Sequence, residues 1–312
     1  MYFCWGDSSN GQFGQRKIVF SPVTCNVPEI ISKISCGEDH SLFLTQNGDV
    51  LSCGRNTYGQ LGREISKKGA PIERIQDLAQ VVAVACGQEH CVVACASGIV
   101  FSWGAGNDGQ LGVPPDELGN IHVPMPLPIP VIQVACGRSH SLALTKDVFS
   151  WGLNNHGQLG LGKTISLQYT PLLVYSLSGV AVSMIAAGSK YSLFLTLSGL
   201  VYCCGANDVG QLGLNRRFNT CVIPALRYLG VSFISCGEAH SAVLTKNGQV
   251  FTFGDGSRGQ LGHNSTANEL MPKQVQGLDG HISQILLQLP FCAASHLQAC
   301  RLQNDNHHSK GT

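Results

Sequence analysis

Four histidines share one spacing from a cysteine. His40, His90, His140 and His240 each close a Cys-Gly-x-x-His motif that opens at Cys36, Cys86, Cys136 and Cys236. Thiolate and imidazole are the ligands of zinc and other soft cations, so metal binding is the first chemistry to weigh. Zinc needs four ligands converging on one point. These pairs recur about 50 residues apart, and a degenerate copy, Ala187-Gly188-Ser189-Lys190-Tyr191, keeps the frame with neither ligand. Pairs spread one per structural unit do not converge, so the histidines are expected to bond backbone within the architecture, with no metal held. His296, His307 and His308, near the carboxy terminus, read as solvated.

A second motif, Gly-Gln-Leu-Gly or a near variant, starts at Gly11, Gly59, Gly109, Gly157, Gly210 and Gly259. A phosphate cradle would be single, would follow a strand and would open a helix. Six copies without helical patterning read instead as structural turns. The leucine is expected in the core, and Gln60, Gln110, Gln158, Gln211 and Gln260 are expected to bond between units. No Gly-x-Ser-x-Gly elbow and no separable acid, base and nucleophile set is present, so no catalytic residue and no cofactor is assigned.

The elements that position these motifs alternate with period two. Ser41-Leu42-Phe43-Leu44-Thr45 and Val50-Leu51-Ser52-Cys53-Gly54 flank Asn47-Gly48, which predicts a β-hairpin with a primed turn. Equivalent runs end in Trp103, Trp151, Cys204 and Phe253, placed for core packing. A polar, variable connection and a further short apolar run complete each unit. Four short strands per unit of about 50 residues predict an all-β propeller. Composition agrees: glycine supplies 37 of 312 residues, charged residues only 12%, and the formal net charge is +1. Disorder and general nucleic-acid binding are thereby disfavoured. Fourteen cysteines without a secretory signal point to a reducing compartment, the cytosol, with the nucleus as the alternative. The most apolar window, Val180 to Cys204, carries Lys190, Gly188 and Gly199 and falls on repeat strands, so no membrane span is expected.

The paired Cys-Gly-x-x-His-Ser and Gly-x-Asn-x-x-Gly-Gln-Leu-Gly motifs resemble the RCC1 repeat over residues 1–285. That resemblance implies a seven-bladed propeller. Met1-Tyr2-Phe3-Cys4-Trp5-Gly6 and Phe251-Thr252-Phe253-Gly254-Asp255 further resemble the small HERC ubiquitin ligases, especially their interferon-induced members. The implied role is a non-catalytic protein-interaction propeller serving ubiquitin conjugation, in a shortened form without the HECT domain that carries the ligase cysteine. Implied partners are ubiquitination substrates, ribosome-associated proteins or a small GTPase. A guanine-nucleotide exchange factor is the alternative, and an inactive splice product a third reading.

Departures from the repeat set the domain expectations. A seventh blade would bring the chain to about 350 residues, and the Cys-Gly-x-x-His due near residue 286 is replaced by Leu286-Leu287-Gln288-Leu289-Pro290. Residues 1–285 are therefore expected to form about six blades, the last incomplete or divergent, and 286–312 a divergent, poorly ordered tail. Binding determinants are expected on the variable connections, including the basic spots Lys67-Lys68 and Arg216-Arg217 and the acidic spot Asp116-Glu117. The proline-rich run from Val123 to Pro130 is expected to be extended, as a connector or a docking segment.

Overall fold

The structure is a computed structural model that describes residues 2–14, 17–25, 27, 29–64, 71–117, 123–125, 130–162, 164–215, 220–278, 282–287 and 299–302. The basic spots at 67–68 and 216–217, the end of the proline-rich run at 126–129, and His296, His307 and His308 lie outside those residues.

Two strands open the chain, β1 (Tyr2–Ser8) and β2 (Lys17–Cys25). Five four-stranded antiparallel sheets follow. The first holds β3 (Ile31–Cys36), β4 (His40–Thr45), β5 (Val50–Gly54) and β6 (Glu73–Arg74). The second holds β7 (Val81–Cys86), β8 (His90–Cys95), β9 (Val100–Gly104) and β10 (Val123–Met125). The third runs through β11 (Gln133–Cys136), β12 (His140–Leu144), β13 (Val148–Leu153) and β14 (Leu167–Leu173). The fourth comprises β15 (Val182–Ala187), β16 (Tyr191–Thr196), β17 (Val201–Gly205) and β18 (Cys221–Val222). The fifth comprises β19 (Val231–Cys236), β20 (His240–Thr245), β21 (Val250–Gly254) and β22 (Glu269–Gln274). A last pair joins β23 (Ile282–Leu286) to β24 (Ala299–Leu302), the latter within the segment expected to be a tail.

Each sheet is a meander whose first strand faces a central channel and whose later strands step outward. The hydrophobic core is therefore divided into layers between neighbouring sheets. Leu42, Leu44 and Val50 of the first sheet pack on Val84, Val93 and Trp103 of the second. The same join recurs as Val92, Ala94 and Val100 on Val134, Ala143 and Trp151. Because each middle strand is covered on both sides, β4, β8, β16 and β20 are buried at every residue. That two-sided burial explains the low charge, since ionised side chains are almost never fully buried unpaired.

The hairpin turn differs from its expected type. A primed turn needs positive φ at both central residues. Only Gly48 has it (82°), and Asn47 is not among the non-glycine residues with positive φ. Gly48 N–H donates to Thr45 O at 3.2 Å and Thr45 N–H to Asp49 O at 2.9 Å, a type I turn closed by a glycine bulge. Thr45 Oγ1 selects this form by accepting from the N–H groups of Asn47 (3.2 Å) and Asp49 (3.1 Å). Val123–Met125 of the proline-rich run serves as the edge strand β10, where a proline such as Pro124 costs no ladder bond. Val180 to Cys204 forms strands, and among the described residues no helix is long and apolar enough to cross a membrane.

Candidate interaction rim and central channel

The glycine of Cys-Gly-x-x-His is demanded by its own histidine. A Cβ on Gly87 would lie 2.0 Å from His90 Cε1 and 2.7 Å from the carbonyl oxygen of Gly137 in the next sheet. With the ring seated on that glycine, Nε2 reaches across the junction to a side chain of the next sheet, not to backbone as expected. His90 Nε2 lies 2.9 Å from Ser141 Oγ, and His140 Nε2 lies 3.0 Å from Ser192 Oγ. Each serine gives its one proton to a backbone carbonyl, Ser141 to Gln110 O (2.8 Å) and Ser192 to Gln158 O (2.8 Å). The histidines must then be the donors, which fixes the Nε2–H tautomer. The buried Nδ1 atoms of His40, His90 and His140 have no hydrogen-bond partner. Burial holds His90 and His140 neutral, each pushed down to about 3, with His140 and His40 adding repulsion at His90. In the fourth sheet Tyr191 takes this position, donating from Oη to His240 O at 2.6 Å. His240 is buried in the equivalent place.

The glutamines bond between sheets, but through main chain rather than side chain, which corrects the expectation. Gln60, Gln110, Gln158, Gln211 and Gln260 turn their Oε1 back to accept the N–H two residues before them, at 2.8–3.1 Å. The inter-sheet acceptor is the glutamine carbonyl. Gln60 O takes Trp103 Nε1–H at 3.0 Å, and Gln110 O takes Trp151 Nε1–H at 2.9 Å. The side chain is spent holding the turn between Gly59 and Gly62 (and its copies at Gly109, Gly157, Gly210 and Gly259) so that this carbonyl points across the junction. The motif asparagine completes the turn: Asn56, Asn154 and Asn207 each accept the N–H of the motif leucine at 2.9 Å. Leu61, Leu111, Leu159, Leu212 and Leu261 are buried as expected.

At one mouth of the channel the same motif builds a rim. Glu38 N–H donates to Gln88 O, Gln88 N–H to Arg138 O, Arg138 N–H to Ser189 O and Ser189 N–H to Glu238 O, at 3.0–3.3 Å. Sequence reading missed this chain of backbone bonds, because it runs through the first of the two variable positions of Cys-Gly-x-x-His. The side chains differ from sheet to sheet. Glu38, Asp39 and Glu89 make an acidic arc, bridged by Gln88 Nε2 to Glu38 at 2.7 Å. Arg138, whose Nε reaches Gln88 Oε1 at 2.6 Å, and Lys190 make a basic arc. Partial burial and the neighbouring Glu38 raise Glu89 above the usual carboxylate range.

The channel itself has a volume of about 620 Å³ and is walled by the first strands, including Cys36, Cys86, Cys136 and Cys236. Among the described residues that line it, Lys33 alone is charged. Burial pushes Cys204 and Cys236 up to about 12 and lifts Cys136 further, so these thiols are inert. The argument that the Cys–His pairs cannot converge fails at one junction. His40 Nε2 lies 3.2 Å from Cys91 Sγ, Cys91 Sγ lies 3.9 Å from Cys86 Sγ, and all three ligand atoms fall within 4.8 Å of one another. At this junction a histidine meets two cysteines of the following sheet. The signal was Cys91, which stands where Ser41, Ser141, Ser192 and Ser241 stand elsewhere.

A radial set of four-stranded meanders, pinned at every junction by motif side chains and ringed by a variable polar rim, defines an RCC1-type β-propeller scaffold. Residues 70–305 match the RCC1-like domain, and residues 2–44 and 31–60 match the regulator of chromosome condensation (RCC1) repeat. The chain belongs to the RCC1-like domain family. It is 45% identical over 224 residues to the probable E3 ubiquitin-protein ligase HERC6 of Homo sapiens, covering 70% of this chain and 21% of that protein. To HERC3 of Homo sapiens it is 44% identical over 239 residues, covering 72% and 23%. The chain thus spans about a fifth of the length of these relatives, within their RCC1-like regions. Among solved structures it is similar to human WBSCR16, with 29% identity, a TM-score of 0.81 and coverage of 92% of this chain and 79% of that one. Prp20p of Saccharomyces cerevisiae shares the fold at 20% identity and a TM-score of 0.69, covering 97% and 92%.

Proposed function

We propose that this chain is the protein-recruiting module of a HERC-type E3 ubiquitin ligase, contributing binding rather than chemistry, with the rim around the Cys-Gly-x-x-His turns as its docking surface. The observation that carries the reading is that the rim backbone repeats while its side chains do not. Glu38, Asp39 and Glu89 are followed by Arg138 and Lys190 and then by Glu238, so the sign of charge alternates in blocks along one rigid arc. A partner with complementary charge would be held in one orientation, the specificity that such patterning gives. The motif histidines and most thiols are buried, which suits a scaffold. A cytosolic site of action goes with this reading, because reducing conditions keep buried thiols free.

The test compares binding of protein substrates by the wild-type chain with that by an E38K/E89K variant and an R138E/K190E variant. Both should lose the same partners without losing cooperative unfolding. Unchanged binding by both would move the docking surface off the rim. Thioester formation between this chain and ubiquitin from a charged conjugating enzyme would overturn the non-catalytic part. A second reading is nucleotide exchange on a small GTPase. It is favoured by 39% identity over 64 residues to the secretion-regulating guanine nucleotide exchange factor of Bos taurus, covering 19% of this chain and 14% of that protein. Faster nucleotide release from any of a panel of GTPases would promote it.

A further inference from the structure

We propose that His40, Cys86 and Cys91 form a binding site for a soft d10 cation, Zn2+ or Cu+, at the junction between the first and second sheets. Cys86 and Cys91 are directly paired residues of β7 and β8. They flank the hydrogen-bonded Gly87–His90 pair, so theirs is the non-hydrogen-bonded pair, in which side chains stand closest. Two sulfurs each about 2.3 Å from a tetrahedral centre lie roughly 3.8 Å apart. Here they lie 3.9 Å apart as free thiols, with the His40 imidazole against Cys91. Thiolate and imidazole together select Zn2+ and Cu+ over hard cations.

Access and charge both fit. Cys86 lines the channel, so a cation from solvent, and a water or further ligand behind it, reaches the site from that side. Binding Zn2+ releases one proton from each thiol and leaves the two-thiolate site neutral, so the nearby Lys33 ammonium opposes it little. In the empty site Cys91 Sγ–H points to Gln60 O at 3.3 Å, which makes His40 Nε2–H the donor to sulfur. Ligation through Nε2 moves the ring proton to Nδ1, a buried atom with no acceptor beside it, so the histidine ligates without the outer-shell bond that usually orients it. No other described junction offers this set: Ser141, Ser192 and Ser241 replace Cys91, and Ala187 and Tyr191 replace the cysteine and histidine in the fourth sheet.

Those replacements supply the controls. The metal-free, reduced chain is titrated with Zn2+ against a chromophoric chelator, with Cu+ under anaerobic conditions against a copper(I) chelator, and with Co2+ as a spectroscopic probe. One equivalent should bind tightly, with a sulfur-to-cobalt charge-transfer band, and the two competition titrations show which cation is preferred. C91S and C86A, each installing a residue that another sheet carries at that position, should weaken binding by on the order of 100-fold or more, beyond the 10–100-fold cost of losing an outer-shell partner. Wild-type affinity in both variants would overturn the proposal by assigning the metal to other cysteines. Loss of both free thiols to a Cys86–Cys91 disulfide that reductant does not reverse before metal binds would overturn it in favour of a structural disulfide.

Discussion

The junction between the first and second sheets and the junction between the second and third share one geometry with different atoms. In the second–third junction His90 donates to Ser141, and Ser141 donates to Gln110 O. In the first–second junction His40 meets Cys91, and Cys91 donates to Gln60 O. Histidine, seat glycine and glutamine carbonyl are the same in both, and only the relay atom changes from oxygen to sulfur. The contrast separates what the architecture requires from what it tolerates. A donor–acceptor between histidine and carbonyl is required at this point, because the buried histidine Nε2–H would otherwise lack an acceptor, at a cost on the order of 1–3 kcal/mol. The identity of that relay is free, and at this freedom a structural motif can acquire a ligand set.

The required part should break most severely. G87A places a methyl 2.0 Å from His90 Cε1 and 2.7 Å from Gly137 O, with backbone on one side and a locked ring on the other. We expect a loss above about 4 kcal/mol in urea unfolding, in the exceptional range for a single substitution. A loss under about 1 kcal/mol would mean that the histidine seat is not what the motif glycine serves. W151A comes next at about 3–5 kcal/mol, for a fully buried indole removed from the layer between sheets. W151F should recover most of that loss, because Gln110 O keeps its bond from Ser141 at 2.8 Å when the indole N–H is gone.

The comparison also shows where sequence reasoning stops. Four strands per repeat and the buried motif leucine were legible because each follows from alternation, spacing and repetition, whereas the histidines, expected to bond backbone, bond side chains of the next sheet, a partner that spacing does not name. The route by which glutamine bonds was not, since a side chain that folds back on its own turn leaves no trace in spacing. The turn at Gly48 was misread as primed because Asn-Gly favours that form, while Thr45 Oγ1 selects the bulged one. The rim was hidden in the positions that vary, Glu38, Gln88, Arg138 and Ser189, whose backbone bonds ignore side-chain identity. Convergence of His40 with Cys86 and Cys91 was missed because ligands were counted within a motif, while the architecture pairs each motif with the next.

A pH titration tests the histidine–serine junctions next. His90 and His140 have folded values near 3, against about 6.5 when unfolded. The unfolded chain therefore binds more protons below pH 6.5, so stability is full above that value and falls as pH drops toward 3. Each histidine contributes a slope of about 1.4 kcal/mol per pH unit within that window. An H90Q/H140Q variant should lose close to twice that slope between pH 6 and pH 4, measured by urea midpoints at fixed ionic strength. An unchanged slope would mean that these rings are protonated in the folded state.

The smallest effect is expected where the junctions differ. In the metal-free chain, C91S replaces sulfur by the hydroxyl that occupies this position in four other repeats. The serine proton can go to Gln60 O and its lone pair can accept from His40 Nε2, as Ser141 does with Gln110 O and His90 at 2.8 and 2.9 Å. The change in stability should stay within about 1 kcal/mol, the net worth of one exchanged hydrogen bond. Differential scanning calorimetry in the presence of a chelator measures it. A loss above about 2 kcal/mol would show that this junction has repacked around the larger sulfur and that its relay is no longer interchangeable. A small loss, set beside a large loss of cation affinity, would show that Cys91 contributes to a ligand set without being needed to hold the sheets together.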